Sequence, residues 1–62
     1  MKYYYYNVTF VGLYFSLVTQ VKSESVLNEA TAIEMGRALI DDSYGWDIQQ
    51  HSHEVLVEED KN

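Results

Sequence analysis

Tyr3-Tyr4-Tyr5-Tyr6-Asn7-Val8-Thr9-Phe10-Val11 is the stretch whose reading decides the fold. Aromatic and β-branched side chains at this density suit a pleated surface and predict a strand over about 2–11. Successive strand side chains point to opposite sides, so Tyr4, Tyr6, Val8 and Phe10 share one face and Tyr3, Tyr5, Asn7 and Thr9 the other. One face can rest on a helix. The other still carries tyrosines and calls for a partner.

Beyond Gly12 the alternation resumes, with Leu13, Phe15, Leu17, Thr19 and Val21 on one side and Tyr14, Ser16, Val18 and Gln20 on the other. This predicts a second strand over about 13–21 and a hairpin around Val11-Gly12-Leu13, with Gly12 supplying a positive φ. A single long, bent strand is the alternative reading of the same residues. Lys22-Ser23-Glu24-Ser25 breaks the pattern, and the apolar period then lengthens from two to nearly four.

A helix over about 28–42 follows from that period. Asn28 is placed to cap its first turn, with Ser25 as the other candidate, and Glu29 meets the positive end of the dipole. Steps of about 100° gather Ala32, Ile33, Gly36, Leu39 and Ile40 into a core stripe, with Thr31, Glu34, Arg37, Asp41 and Asp42 turned away. Gly36, inside the stripe, reads as a close packing contact. Gly45 suits a left-handed helix stop, and Tyr44 and Trp46 are expected to fold back over one end of the core. A third strand is predicted over about 52–58, placing His53, Val55 and Val57 opposite Glu54, Leu56 and Glu58, with a frayed acidic tail at 59–62.

The order strand, strand, helix, strand predicts an α+β domain of ββαβ order spanning residues 1–62. A right-handed crossover through the helix puts the first strand in the centre of a three-stranded antiparallel sheet of order 2-1-3. The helix then covers Tyr4, Tyr6, Val8, Phe10, Phe15, Leu17, Val55 and Val57. The uncovered face mixes Tyr3, Tyr5, Tyr14, Val18 and Leu56 with hydrogen-bonding side chains, the composition of an interface.

Composition bounds the function. A domain of 62 residues buries only about 60% of its unfolded surface, so association is an accessible source of stability. Without cysteine, neither a disulfide nor a thiolate zinc site can staple the fold, and a reduced, cytoplasmic setting is expected. Ten acidic residues against four basic ones, net −6, oppose nucleic-acid phosphates and anionic membranes but suit a basic protein surface. Met1-Lys2 ahead of the apolar Phe10–Val18 run imitates a secretory leader, but Asn7 and Thr9 interrupt it and no small-x-small cleavage site follows. The run also falls short of the about 20 apolar residues of a membrane span.

Motifs for chemistry are sparse. His51-x-His53 offers two imidazoles on one strand face, two short of a structural zinc set, and no metal site is assigned. Asp41-Asp42-Ser43-Tyr44-Gly45-Trp46-Asp47 lacks the alternating acids and closing glutamate of a calcium loop. Paired carboxylates need a cleft to separate their pKa values, and no serine lies in a nucleophile motif, so no catalytic residue and no cofactor are assigned. Asn7-Val8-Thr9 matches the glycosylation triplet but falls within a strand. Tyrosine platforms can stack bases, yet Lys2, Lys22, Arg37 and Lys61 are all the cations available to track a nucleic-acid backbone.

The expectation is a small acidic, non-enzymatic protein-binding module, an adaptor or stoichiometric inhibitor, acting as a homodimer or higher oligomer through its helix-free face or a sheet edge. Tyr3, Tyr5, Tyr14, Val18 and Leu56 are its interface residues, and Asp41, Asp42 and Asp47 its acidic rim. Two other readings are a small-ligand sequestering protein, with Tyr44 and Trp46 lining a pocket between subunits, and a structural subunit of a larger assembly.

Overall fold

The computed structural model describes residues 2–45 and 47–60. Its elements are β1 (Tyr4–Val11), β2 (Ser16–Ser23), α1 (Glu29–Tyr44), α2 (Ile48–His51) and β3 (Glu54–Asp60). β1 lies in the centre of an antiparallel sheet of order β2-β1-β3, and α1 packs across one face of it, the α+β arrangement expected. The pairing of β1 with β2 runs unbroken from Tyr4↔Ser23 to Val11↔Ser16, and with β3 from Tyr5↔Asp60 to Val11↔Glu54.

The covered face holds Tyr6, Val8, Phe10 and Val21, all buried, with Leu17, Val55 and Val57 packed at their margins. Tyr6 is more than an apolar contact. Its hydroxyl accepts a hydrogen bond from the backbone N–H of Leu27 at 3.0 Å, tying the connection between β2 and α1 to the central strand.

The hairpin turn differs from the expected one. Residues 12–15 separate the strands, and the Gly12 N–H donates to the Phe15 carbonyl at 2.9 Å. Gly12 does not have positive φ; a Cβ there would overlap Phe15 Cε1, so a side chain at this position would clash with the ring that lies against it. The wider turn starts β2 three residues later than predicted, and Tyr14 belongs to the loop rather than to the sheet. Glu59 and Asp60, expected in a frayed tail, continue β3 opposite Tyr6 and Tyr5. Met1, Lys61 and Asn62 lie outside the described residues, as does Trp46.

Helix α1 starts where its chemistry allows. The Asn28 side chain accepts from the Thr31 N–H at 2.8 Å, and Glu29 occupies the first turn. It runs two residues past the predicted end and stops at Gly45, whose φ of 72° is left-handed and whose N–H donates to the Asp41 carbonyl. Ala32, Gly36 and Ile40, at spacing i, i+4, i+8, form the buried line against the sheet. A Cβ on Gly36 would lie 3.0 Å from Val8 Cβ on β1 and 3.1 Å from Thr19 Cγ2 on β2, so the helix is seated over the gap between those strands.

That seating rotates the apolar stripe away from its predicted place. Leu39 is not in the core but is 48% exposed, because it lies on the β2 flank of the helix, where the sheet ends. Ile33 and Arg37 occupy the opposite flank and are half-buried. The short helix α2 has no counterpart in the sequence reading. It inserts Ile48, fully buried, into the end of the core, a place assigned to Tyr44 and Trp46; Tyr44 is instead exposed. Neither helix is long and apolar enough to cross a membrane.

Candidate functional site

Alternation and register together lay out the helix-free face as a grid. Across β2, β1 and β3 the rows read Ser16-Val11-Glu54, Val18-Thr9-Leu56, Gln20-Asn7-Glu58 and Lys22-Tyr5-Asp60. Val18 and Leu56 are 63% and 51% exposed, and they flank Thr9 as an apolar row across the middle of the sheet. Below that row the side chains bond laterally: Gln20 Nε2 donates to Asn7 Oδ1 and to Asp60 Oδ2, each at 3.4 Å. Tyr3 lies just before β1, and Lys22 Nζ sits 4.1 Å from its ring centroid, a cation–π contact that pins one end of the face.

Of the five predicted interface residues, four therefore gather at this face: Tyr3, Tyr5, Val18 and Leu56. Tyr14 does not join them. It stands 97% exposed at the tip of the 12–15 loop, beside Leu13, and faces a shallow depression bordered by Phe15, His51 and His53.

The acidic rim is divided by the helix. Asp41 accepts from Arg37 Nη1 at 3.2 Å through one oxygen and from the Ile48 N–H at 3.0 Å through the other, so it holds α2 in place. Arg37 Nη2 also meets Glu34 Oε1 at 2.7 Å. The hydrogen bond that Arg37 donates to Glu34, the charge of Glu34, and the nearby Asp41 and Asp47 carboxylates raise the guanidinium above its already high pKa. Asp47 is thus close enough to contribute to the field at Arg37. Asp42 lies on the other flank of α1, at the end of an apolar groove formed by Met35, Ala38 and Leu39 against Val21 of β2.

The two histidines are not alternate residues of one strand as expected. His51 ends α2, and His53 lies in the bend before β3, its N–H donating to the Val11 carbonyl at 2.9 Å. Among the described residues no cluster of three or more His, Asp or Glu side chains could hold a metal ion.

Sequence reasoning missed two parts of this surface. The Met35–Ala38–Leu39 groove was hidden because Leu39 fits the core stripe by periodicity, and only the lateral position of the helix over the sheet uncovers it. Lys22 falls in the stretch that interrupts the sequence alternation, and its place opposite Tyr5 follows only once the hairpin register is known. No protein-family model matches the chain, and neither the search of curated proteins nor that of solved structures finds a match to it.

Proposed function

We propose that the chain is a small acidic, non-enzymatic protein-binding module that works as a homo-oligomer and takes a partner protein on its helix-free sheet face, in a cytoplasmic setting. The observation that carries this reading is the grid itself. Exposed Val18 and Leu56 flank Thr9 in the middle of the sheet, an aromatic, lysine-pinned end lies two rows away at Tyr3 and Tyr5, and Glu54, Glu58 and Asp60 form an acidic margin along β3. Apolar anchors spaced among hydrogen-bonding side chains are how protein interfaces are built, and tyrosine supplies contact area at low entropy cost. The matching partner surface has an apolar centre and a basic flank, since the acidic margin lies along β3. Binding then acts by occupying that surface stoichiometrically, as an adaptor or inhibitor does.

The test is affinity capture of a stoichiometric partner by the wild-type protein, by Val18→Asp with Leu56→Asp, and by Tyr3→Ala with Tyr5→Ala, followed by titration with the purified partner. Both pairs are expected to lower affinity at least tenfold, and raising the salt concentration should weaken the wild-type complex. A partner held equally well by all three proteins would remove the sheet face from the function.

A further inference from the structure

We infer that the free edge of β2, together with the Met35–Ala38–Leu39 flank of α1, is the interface through which two copies of this chain join into one six-stranded sheet. The inference rests on the reading of the chain as an oligomeric module and adds which surface makes the oligomer.

The two sheet edges are chemically unlike. β3 carries Glu54, Glu58, Glu59 and Asp60 in its seven residues, so pairing it with its own copy sets carboxylates against carboxylates. In a chain of net charge −6 that repulsion adds to the general one. β2 has a single charge, Lys22, in its eight residues, no proline, and an unbroken register with β1. Lys22, one residue from the end of the strand and turned over the Tyr3 ring, is the one edge-protecting charge it carries, so the stretch from Ser16 to Val21 bears no charge or proline to discourage strand addition.

Beside that edge the helix leaves apolar surface without cover. Met35 is 38% exposed and Leu39 48%, and together with Ala38 they form a groove against Val21. An extended peptide added to β2 would occupy the strand edge and leave the helix flank bare. A second copy meets both, strand against strand and helix flank against helix flank, the self-complementarity that a two-fold axis requires.

The spacing agrees. Gly36 is equally close to Val8 on β1 and Thr19 on β2, so the helix axis runs over the gap between them. With strands about 4.8 Å apart, the axis lies about 2.4 Å inside β2, and a dyad half a spacing outside β2 puts the two helix axes about 10 Å apart. Packed helices lie about 8–10 Å apart. Thr19 is also near the middle of β2 (Ser16–Ser23), so an axis through the centre of the strand brings the helices together near Gly36, between Met35 and Leu39. Antiparallel helices centred there set Asp42 opposite the first turn of the other helix, whose dipole favours an anion.

Light scattering after size exclusion, across a concentration series, tests this on the wild type, on Met35→Glu with Leu39→Glu, and on Tyr5→Glu. The wild type is expected at twice the chain mass, the groove variant at the monomer mass or at least tenfold weaker in dimerisation, and Tyr5→Glu unchanged. Circular dichroism confirms that the variants are folded. Amide hydrogen exchange of the wild type gives a readout independent of any variant, with protection of the outward-facing amides within 16–23 rising with protein concentration. A dimer broken by Tyr5→Glu and untouched by the groove pair would overturn this interface while keeping the oligomer. A wild type that stays monomeric at every concentration would overturn both. Concentration-independent exchange within 16–23 in a dimeric sample would overturn the β2 assignment alone.

Discussion

Replacing Gly36 tests the seating of α1 on the sheet, from which both the core and the free helix flank follow. A Cβ at that position would lie 3.0 Å from Val8 Cβ, 3.1 Å from Thr19 Cγ2 and 3.2 Å from Val8 Cγ1. Relaxed carbon contacts lie at about 3.5–4.0 Å, so every one of these is short by several tenths of an ångström. Val8 cannot yield readily, because it is fully buried on the central strand and paired on both sides. For Gly36→Ala, helix propensity gains about 1 kcal/mol, while overpacking costs about 1–3 kcal/mol. The net effect is a loss of at most about 2 kcal/mol. Gly36→Val recovers only about 0.4 kcal/mol of propensity and adds two methyl groups where the first carbon is already too close, so its cost reaches about 3 kcal/mol or more. Domains hold about 0.05–0.15 kcal/mol of stability per residue, so a loss of that size removes a third or more of the total here. Urea unfolding followed by circular dichroism reads it. At a slope of about 1 kcal/mol per molar, the midpoint of the valine variant falls by about 3 M or its folded baseline disappears. Helix propensity alone orders the three proteins with alanine most stable and glycine least. A valine variant at least as stable as the wild type would refute the close seating, and with it the helix spacing used for the dimer.

Two further substitutions probe links that hold the molecule together. Tyr6→Phe removes the acceptor of the Leu27 N–H and is expected to cost about 1–2 kcal/mol, with faster hydrogen exchange at the Leu27 amide; unchanged exchange there would show that the hydroxyl is not the tie. Asp41→Ala frees the Ile48 N–H and should loosen α2, costing about 1 kcal/mol and speeding proteolysis between positions 45 and 52; equal cleavage rates would assign the carboxylate no structural part.

Much of the architecture was legible because it rests on local periodicity. The alternation through Tyr3–Val11 determined a strand with one face to bury and one to spare, and the change of period after Ser25 determined the long helix, ended about two residues early, with Asn28 or Ser25 to cap it and Gly45 to stop it. The candidate face was legible to the same extent, since parity alone assigns Tyr5, Val18 and Leu56 to the side away from the helix. What periodicity does not encode is where one element sits against another. The hairpin loop takes four residues, not one, closed by the Gly12 N–H on the Phe15 carbonyl, and so Tyr14 lies outside the sheet. Ile48 entered the core although α2 is too short to announce itself by any repeat. Leu39 obeys the helical period and is nonetheless half exposed, because Gly36 seats the helix over β1 and β2 and leaves that flank beyond the edge of the sheet. Sequence by itself determined which faces are apolar. Tertiary structure decided which of those faces three strands are wide enough to cover.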